Sequence, residues 1–271
     1  MKHQIIAPPQ HLSDYIRMFW FLEFDASPEN IFTHLSFAHH CCEITFCYKG
    51  QFKVQSATNP TSILASGIYG QTLHNSTITS DQSFGIFGIY LYPYTLKQLL
   101  GIPACALTNQ MLDMRALCGK TGEELEEKIM LATNNQERVS IAIRFFESLL
   151  KNIQSENTAI CRSIKTLSNN YNLVSVNALA NNHYLSLRQF ERKFKELTGF
   201  APQKFLRIVR FNALLTKPIL NNRLIDIALD FGFYDEAHFS RDFKELSGLS
   251  PKKYFKTAYK AASDRGIVQV L

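Results

Sequence analysis

Phe190-Glu191-Arg192-Lys193-Phe194-Lys195-Glu196-Leu197-Thr198-Gly199, followed by Pro202, returns forty-nine residues later as Phe239-Ser240-Arg241-Asp242-Phe243-Lys244-Glu245-Leu246-Ser247-Gly248, followed by Pro251. Two Phe, an Arg, a Lys, a Gly and a Pro stay in step, so the repeat is a duplicated structural unit. On a helical wheel of about 100° per residue, Leu187, Phe190, Phe194 and Leu197 share one face. Arg188, Arg192 and Lys195 lie opposite. In the second copy Phe239, Phe243 and Leu246 turn inward. Ala237, Arg241 and Lys244 turn outward, flanked by Glu236, His238 and Ser240.

The ends of both helices are spelled out. Ser186 and Asp235 are suited to accept a free amide hydrogen of the first turn as N-caps. Gly199 and Gly248 stand where a left-handed residue closes a helix. Pro202 and Pro251 suit the first turn of a following helix. A smaller helix precedes each copy, Val176 to Asn181 and Leu224 to Asp230. Their Leu179-Ala180 and Ile227-Ala228 pairs let two helices cross closely. A helix begun near Gln203 joins the units through Phe205, Ile208, Val209 and Leu214, and Pro218 ends or kinks it.

Charge is unevenly placed along the 271 residues. From Thr158 to Lys260 there are seventeen Lys and Arg against eight Asp and Glu, a balance of +9. From Met1 to Asn157 the balance is −3. The carboxy-terminal half therefore has the electrostatic footprint of a polyanion binder. Helix, tight turn and a second helix with a basic outer face is the arrangement that places its second helix in the major groove of double-stranded DNA.

The segment from about Ala159 to Phe255 resembles the DNA-binding domain of the AraC-type (AraC/XylS) bacterial transcription regulators. The resemblance rests above all on the run from Ile225-Asp226-Ile227-Ala228 through Phe231-Gly232-Phe233 and Ala237-His238-Phe239-Ser240-Arg241-Asp242-Phe243-Lys244 to Gly248-Leu249-Ser250-Pro251. It implies seven helices holding two helix-turn-helix units on a shared connecting helix. It places the DNA-facing positions on Arg188, Glu191, Arg192 and Lys195 of the first reading helix. In the second they are Glu236, Ala237, His238 and Arg241; the wheel adds Lys244. Tyr184, where the family usually has a small residue, and Pro218 depart from the pattern. Arg192 and Arg241 are candidates for bidentate contact with guanine. Arg188, Lys195, Lys244, Lys252 and Lys253 suit phosphates, which position without specifying. His238 is either a DNA contact or a polar partner beside Phe239. The copies differ at Arg188 against Ala237 and at Glu191 against Ser240, so two unlike half-sites are expected.

The amino-terminal half reads as β-rich up to about Met111. Strands are expected at Met18–Phe24, Ser62–Tyr69, Ser76–Ile78 and Phe84–Tyr92. Glu43–Tyr48, a Lys49-Gly50-Gln51 turn and Phe52–Val54 suggest a hairpin. A short helix follows at 93–100, and amphipathic helices between Thr121 and Ile153. Pro8-Pro9 through Leu12, Tyr15-Ile16, Phe19-Trp20, Glu23, Gly70-Gln71 and Tyr92-Pro93 resemble the β-barrel sensor domains that precede this DNA-binding unit in the family. The whole is then an α+β two-domain protein. A small cupin-like β-barrel with its following helices occupies 1–153 and a linker 154–158. An all-α double helix-turn-helix domain occupies 159–260, and a tail 261–271. The resemblance implies DNA, a second copy of the chain in a homodimer, a small-molecule effector and RNA polymerase as partners, and a role as an activator. The helices after Thr121 either form the dimer surface or only cover the barrel. Trp20 and its neighbouring aromatics either line a ligand cavity or fill the barrel core.

His39-His40-Cys41-Cys42, with His34 and Cys47 near, invites a metal reading. On a strand, alternate residues face opposite sides, and no zinc-binding spacing is present. The expectation is therefore buried small cysteines, no metal and no cofactor. Six cysteines without CxxC spacing suggest a reduced compartment. No leader-like apolar run opens the chain, and no run approaches the ~18 apolar residues of a membrane span, so a cytoplasmic protein with no membrane partner is expected. One rival is a catalytic domain fused to the DNA-binding unit, such as an alkyl-transfer repair enzyme. It needs a clustered cysteine zinc site or a reactive-cysteine motif, which Cys41, Cys42, Cys47 and Cys105 do not supply, so the expected protein is not an enzyme. The other rival is an effector-free DNA-binding dimer.

Overall fold

The computed structural model describes residues 1–56, 62–63, 66–151, 158–170, 174–216 and 223–256. The expected linker, apart from Thr158, the kink at Pro218 and the tail 261–271 lie outside them.

The amino-terminal half is two facing antiparallel sheets. The first has six strands in the order β1 (Lys2–Ile6), β2 (Ile16–Phe24), β9 (Phe84–Leu91), β4 (Cys42–Lys49), β7 (Gly67–Tyr69) and β10 (Met111–Asp113). The second has four, in the order β3 (Phe32–Ser36), β8 (Ser76–Ser80), β5 (Lys53–Ser56) and β6 (Ser62–Ile63). Among the described residues the two sheets do not close into one barrel. Strand alternation explains both faces of the larger sheet. Phe19, Phe21, Ile44, Phe46, Phe87 and Ile89 point outward into a core roofed by α2 (Met114–Leu131) and α3 (Asn135–Leu150). Trp20, Leu22, Phe24, Phe84 and Ile86 point inward and meet Phe32, Phe52 and Ile78 of the smaller sheet.

The expected 43–54 hairpin does not form. β4 pairs with β9 and β7, whereas β5 pairs with β8 and β6. Gly50, at φ +74°, turns the chain out of one sheet and into the other. Phe52, 1% exposed, is drawn into the space between the sheets. A hairpin would leave that ring on the wrong side. The chain also begins with a strand, β1, that periodicity did not show. α2 starts at Met114 rather than near Thr121, with a break at Gly119 (φ 58°, ψ −140°). The short helix α1 is Thr95–Leu100.

The carboxy-terminal half is helical: α4 (Thr158–Asn169), α5 (Val176–Asn182), α6 (Leu187–Thr198), α7 (Pro202–Leu215), α8 (Leu224–Asp230), α9 (Glu236–Ser247) and a last helical segment, 251–256. These are the seven helices that the resemblance implied. Its core does not stop at the helical half. Phe37, Ala38, Tyr92 and Tyr94 from the β half are buried with Phe190, Phe205, Phe211 and Phe243 in one continuous cluster. Among the described residues no helix is long and apolar enough to cross a membrane.

Candidate nucleic-acid interface

The two repeated helices are α6 and α9, and their caps match the sequence reading. The Ser186 hydroxyl accepts from the Gln189 amide at 3.3 Å, and Gln189 Oε1 accepts in return from the Ser186 amide at 3.1 Å, a capping box. Asp235 accepts from the His238 amide at 2.6 Å. Gly199 and Gly248 close the helices in the left-handed region, at φ +79° and +73°. Phe190, Phe194, Phe239 and Phe243 are each at most 1% exposed. Burying such a ring is worth about 1.5–3 kcal/mol, so the inner faces hold the helices while the outer faces stay clear.

The duplication is not in constant register. Ahead of α6 and α9 the offset is forty-eight: Leu179 matches Ile227 and Ala180 matches Ala228. In both turns the same bond recurs, from the Leu185 amide to Ala180 O (3.1 Å) and from the Phe233 amide to Ala228 O (2.8 Å). The second turn has one residue more, Tyr234, which is 89% exposed. Tyr184 is the counterpart of Gly232; it takes φ +53° and is 97% exposed. A bulky residue there carries about 1–2 kcal/mol of backbone strain.

The predicted DNA-facing residues fall on the outward faces. Arg188, Glu191, Arg192 and Lys195 are exposed on α6; Ala237, Arg241 and Lys244 are exposed on α9, with Glu236 half-buried. Among the described residues, none of Arg188, Arg192, Lys195, Arg241 and Lys244 forms an ion pair. His238 is half-buried, edge-on to Phe233 at 5.4 Å, with Nε2 3.8 Å from Asp242.

A second set of cations behaves oppositely. Arg207 and Arg210 of α7 converge on Asp242, at 2.8 and 3.4 Å, and Arg207 also holds Glu245 at 2.5 Å. Arg210 lies over the Phe233 ring at 4.0 Å and donates to Gly232 O at 3.3 Å. This network ties the connecting helix to the second reading helix and its turn. Sequence reasoning missed it. The available signal was the exchange of Lys193 for Asp242 between the copies, an acid entering a basic repeat.

The β half grips the back of both units. The Ala38 amide donates to Leu246 O at 3.1 Å, and Asn212 of α7 donates to Ala38 O at 2.8 Å. Phe37 meets Phe211 and Tyr254 edge-on at 6.2 and 5.7 Å. Lys97 pairs with Glu196 at 2.8 Å. Gly199 abuts Gln71 and Thr108, and Gly248 abuts Asn75. Both helix C-termini are thus held from one side.

Within the sheets, Trp20 lies flat over Gly88, where any side chain would strike the indole. Its Nε1 donates to Glu43 Oε1 at 2.5 Å. Burial pushes the Glu43 carboxyl up to about 8, the Trp20 bond opposing it. Tyr69 and Tyr90 stand beside it; all four side chains are half-buried.

The His39–Cys41 segment is not part of a regular strand. His39 forms an isolated bridge with Thr72, and His40 and Cys41 follow on a bend ahead of β4, so regular strand alternation does not separate the side chains. The two imidazoles stack at 5.0 Å, and one ligand atom from each of His39, His40 and Cys41 lies within 4.8 Å of the others.

Two helix-turn-helix units on a shared connecting helix, each presenting an unpaired basic face, define a double helix-turn-helix DNA-binding protein. A helix-turn-helix domain family matches residues 179–257, and a domain family of unknown function (DUF6597) matches residues 4–113. The match to the helix-turn-helix family covers the carboxy-terminal unit, the part of the chain that resembles the AraC-type regulators. The chain is similar to ToxT from Vibrio cholerae O395, with 14% identity over 88% of this chain and 97% of that one and a TM-score of 0.47. It is also similar to the DNA-binding domain of AdpA in complex with a target DNA, with 27% identity over 37% and 88% and a TM-score of 0.31. An RmlC-like cupin from Shewanella frigidimarina is similar at 12% identity over 33% and 73%, with a TM-score of 0.24. No curated protein sequence matches the chain.

Proposed function

We propose that α6 and α9 enter successive major grooves on one face of DNA, about 34–36 Å apart. Arg192 and Arg241 read bases. Arg188, Lys195 and Lys244 hold phosphates, and Glu191, Glu236, Ala237 and His238 border the two readers. One observation carries this reading: the outward cations of both helices are exposed and unpaired, whereas Arg207 and Arg210 are partly buried and ion-paired with Asp242. Unpaired exposed cations are the ones that release counterions from DNA. Residues 1–153 would then be the sensor and dimerisation part, and 159–260 the reader.

A small-molecule effector would occupy the space between the sheets, where Trp20, Glu43, Tyr69 and Tyr90 present polar edges beside a phenylalanine-filled end. Homodimerisation through α2 and α3 is supported by exposed Met130 and Leu131, at 40% and 74%. RNA polymerase is the further partner, and the protein acts in the cytoplasm without catalysis of its own.

The test is a binding isotherm on the mapped operator at several salt concentrations. A wild-type log–log salt slope close to zero, or sequence specificity unchanged by Arg192→Ala with Arg241→Ala, refutes the reading.

A further inference from the structure

We propose that His39, His40 and Cys41 bind a thiophilic transition-metal ion of the zinc type at the junction between the sheets and the connecting helix α7. The three residues are consecutive, His39 on its bridge to Thr72 and the other two on the bend that follows, and one ligand atom of each lies within 4.8 Å of the other two.

The decisive atom is His40 Nε2. His40 is 2% exposed, and its Nε2 is buried with no hydrogen-bond partner. Its protonation pattern follows from its neighbours. Asn212 spends its amide hydrogen on Ala38 O at 2.8 Å, which turns its Oδ1 toward His40 Nδ1, also at 2.8 Å. An amide oxygen only accepts, so Nδ1 carries the proton and Nε2 presents a lone pair. A buried lone pair without a donor costs about 1–3 kcal/mol. An imidazole whose N–H is held by an oxygen, with its other nitrogen free, is the usual posture of a metal-binding histidine. His39 has a partner in either tautomer: its Nδ1 lies 3.1 Å from the Cys41 amide and 3.5 Å from the Cys41 carbonyl oxygen. In the shorter contact Nδ1 accepts; metal binding through Nε2 requires a switch in which Nδ1 donates to the carbonyl instead.

Cys41, 3% exposed, supplies the sulfur, and Arg17 of β2 donates to it at 3.4 Å. The Arg17 cation bonds the sulfur and also acts on both imidazoles, where it opposes a second positive charge. In that position it steadies a thiolate. Tyr90 flanks His39 at 5.2 Å between rings, and Glu43 is two residues on from Cys41 in β4. Two imidazoles and one thiolate are a borderline-to-soft donor set, which selects zinc or copper(I) over magnesium or calcium. Zinc bond lengths put tetrahedral ligand atoms about 3.3–3.6 Å apart, so the ligands need to close by about 1 Å. Three protein ligands leave a fourth position open. On binding, Cys41 gives up its thiol proton, so one proton is released per ion. His40 also meets Phe205 of α7 edge-on at 5.4 Å, so occupancy bears on the helix that joins the two readers.

The test uses the full-length chain, reduced, stripped with a chelator and titrated with zinc or cobalt(II). The expected result is one ion per chain and a cobalt–thiolate charge-transfer band. Cys41→Ser abolishes that band, and His39→Gln, at a half-buried position, weakens zinc binding by about 100-fold. Asn212→Ala weakens it about 10–100-fold through loss of the hydrogen bond that orients His40, and Cys47→Ser leaves it unchanged. Circular dichroism confirms that each variant is folded. Substoichiometric zinc, or binding indifferent to both Cys41→Ser and His39→Gln, overturns the proposal. The readout is metal binding, so it stands or falls separately from DNA recognition.

Discussion

Gly199 and Gly248 do the same local job in the two units, and replacing each by Ala separates local strain from the grip of the β half. Both are left-handed, so Ala costs about 1–2 kcal/mol at either site. Their surroundings differ. A Cβ at 199 would sit 1.7 Å from Gln71 Nε2, 2.6 Å from its Cδ and 2.7 Å from Thr108 Oγ1. Gln71 is fully buried, and its Nε2 donates to Ala104 O and Thr108 Oγ1, both at 2.7 Å. Moving it strands buried polar groups at about 1–3 kcal/mol each. At 248 the nearest atoms belong to half-buried Asn75, at 2.8–3.0 Å, and a few tenths of an ångström suffice. The expected losses are about 3–5 kcal/mol for Gly199→Ala and about 1–2 kcal/mol for Gly248→Ala. Urea unfolding followed by circular dichroism measures both. Adding Gln71→Ala to Gly199→Ala should recover part of the loss, since the clash then has no partner. Equal losses at the two glycines, or strict additivity with Gln71→Ala, would refute the claim that the β half is seated against α6.

Other outcomes can be checked alongside. Arg192→Ala and Arg241→Ala should each cost about 1–3 kcal/mol of operator binding and relax specificity at one half-site, while Lys195→Ala should weaken all sequences alike and lower the salt slope by about 1; electrophoretic mobility shifts on mutated operators distinguish the two. Tyr184→Gly should raise thermal stability by about 1 kcal/mol, because Gly takes positive φ without strain; an unchanged melting temperature speaks against strain there. Asp242→Ala should destabilise by about 3–5 kcal/mol, since Arg207 and Arg210 lose their common acceptor while partly buried, and differential scanning calorimetry reads the loss directly. Glu43 has its carboxyl raised to about 8 from 4.5, so the folded state holds a proton that the unfolded chain has released. Its contribution is full below pH 4.5 and falls as pH rises toward 8, by at most about 1.4 kcal/mol per pH unit. Glu43→Gln should flatten that limb of the pH–stability curve.

Much of the reading unit was legible without coordinates. Caps, turns and the apolar stripe act within four residues of chain, so Ser186, Asp235, Gly199, Gly248 and Pro202 declared their roles through spacing. The two small helices and the outward cations followed from the same period. The β half was less legible because strand partners are set by contacts far apart in sequence. Glu43–Tyr48 and Phe52–Val54 are neighbours in the chain and belong to different sheets, a choice made by where Phe52 finds cover. β1 lacks the alternation that marks a half-buried strand, since its exposure runs along the sheet edge.

The sequence by itself determined that this chain has a doubled helix-turn-helix with basic outer faces, because helix periodicity and capping are local physics. Only the tertiary structure decided which cations are spent and which remain. Arg192 and Arg207 look alike in the sequence; one meets solvent, and the other meets Asp242 from a different helix. The same holds for His40, whose free nitrogen is defined by Asn212, 172 residues away. Charge neutralisation and tautomer choice depend on partners in space, and those partners exist only once the chain has folded.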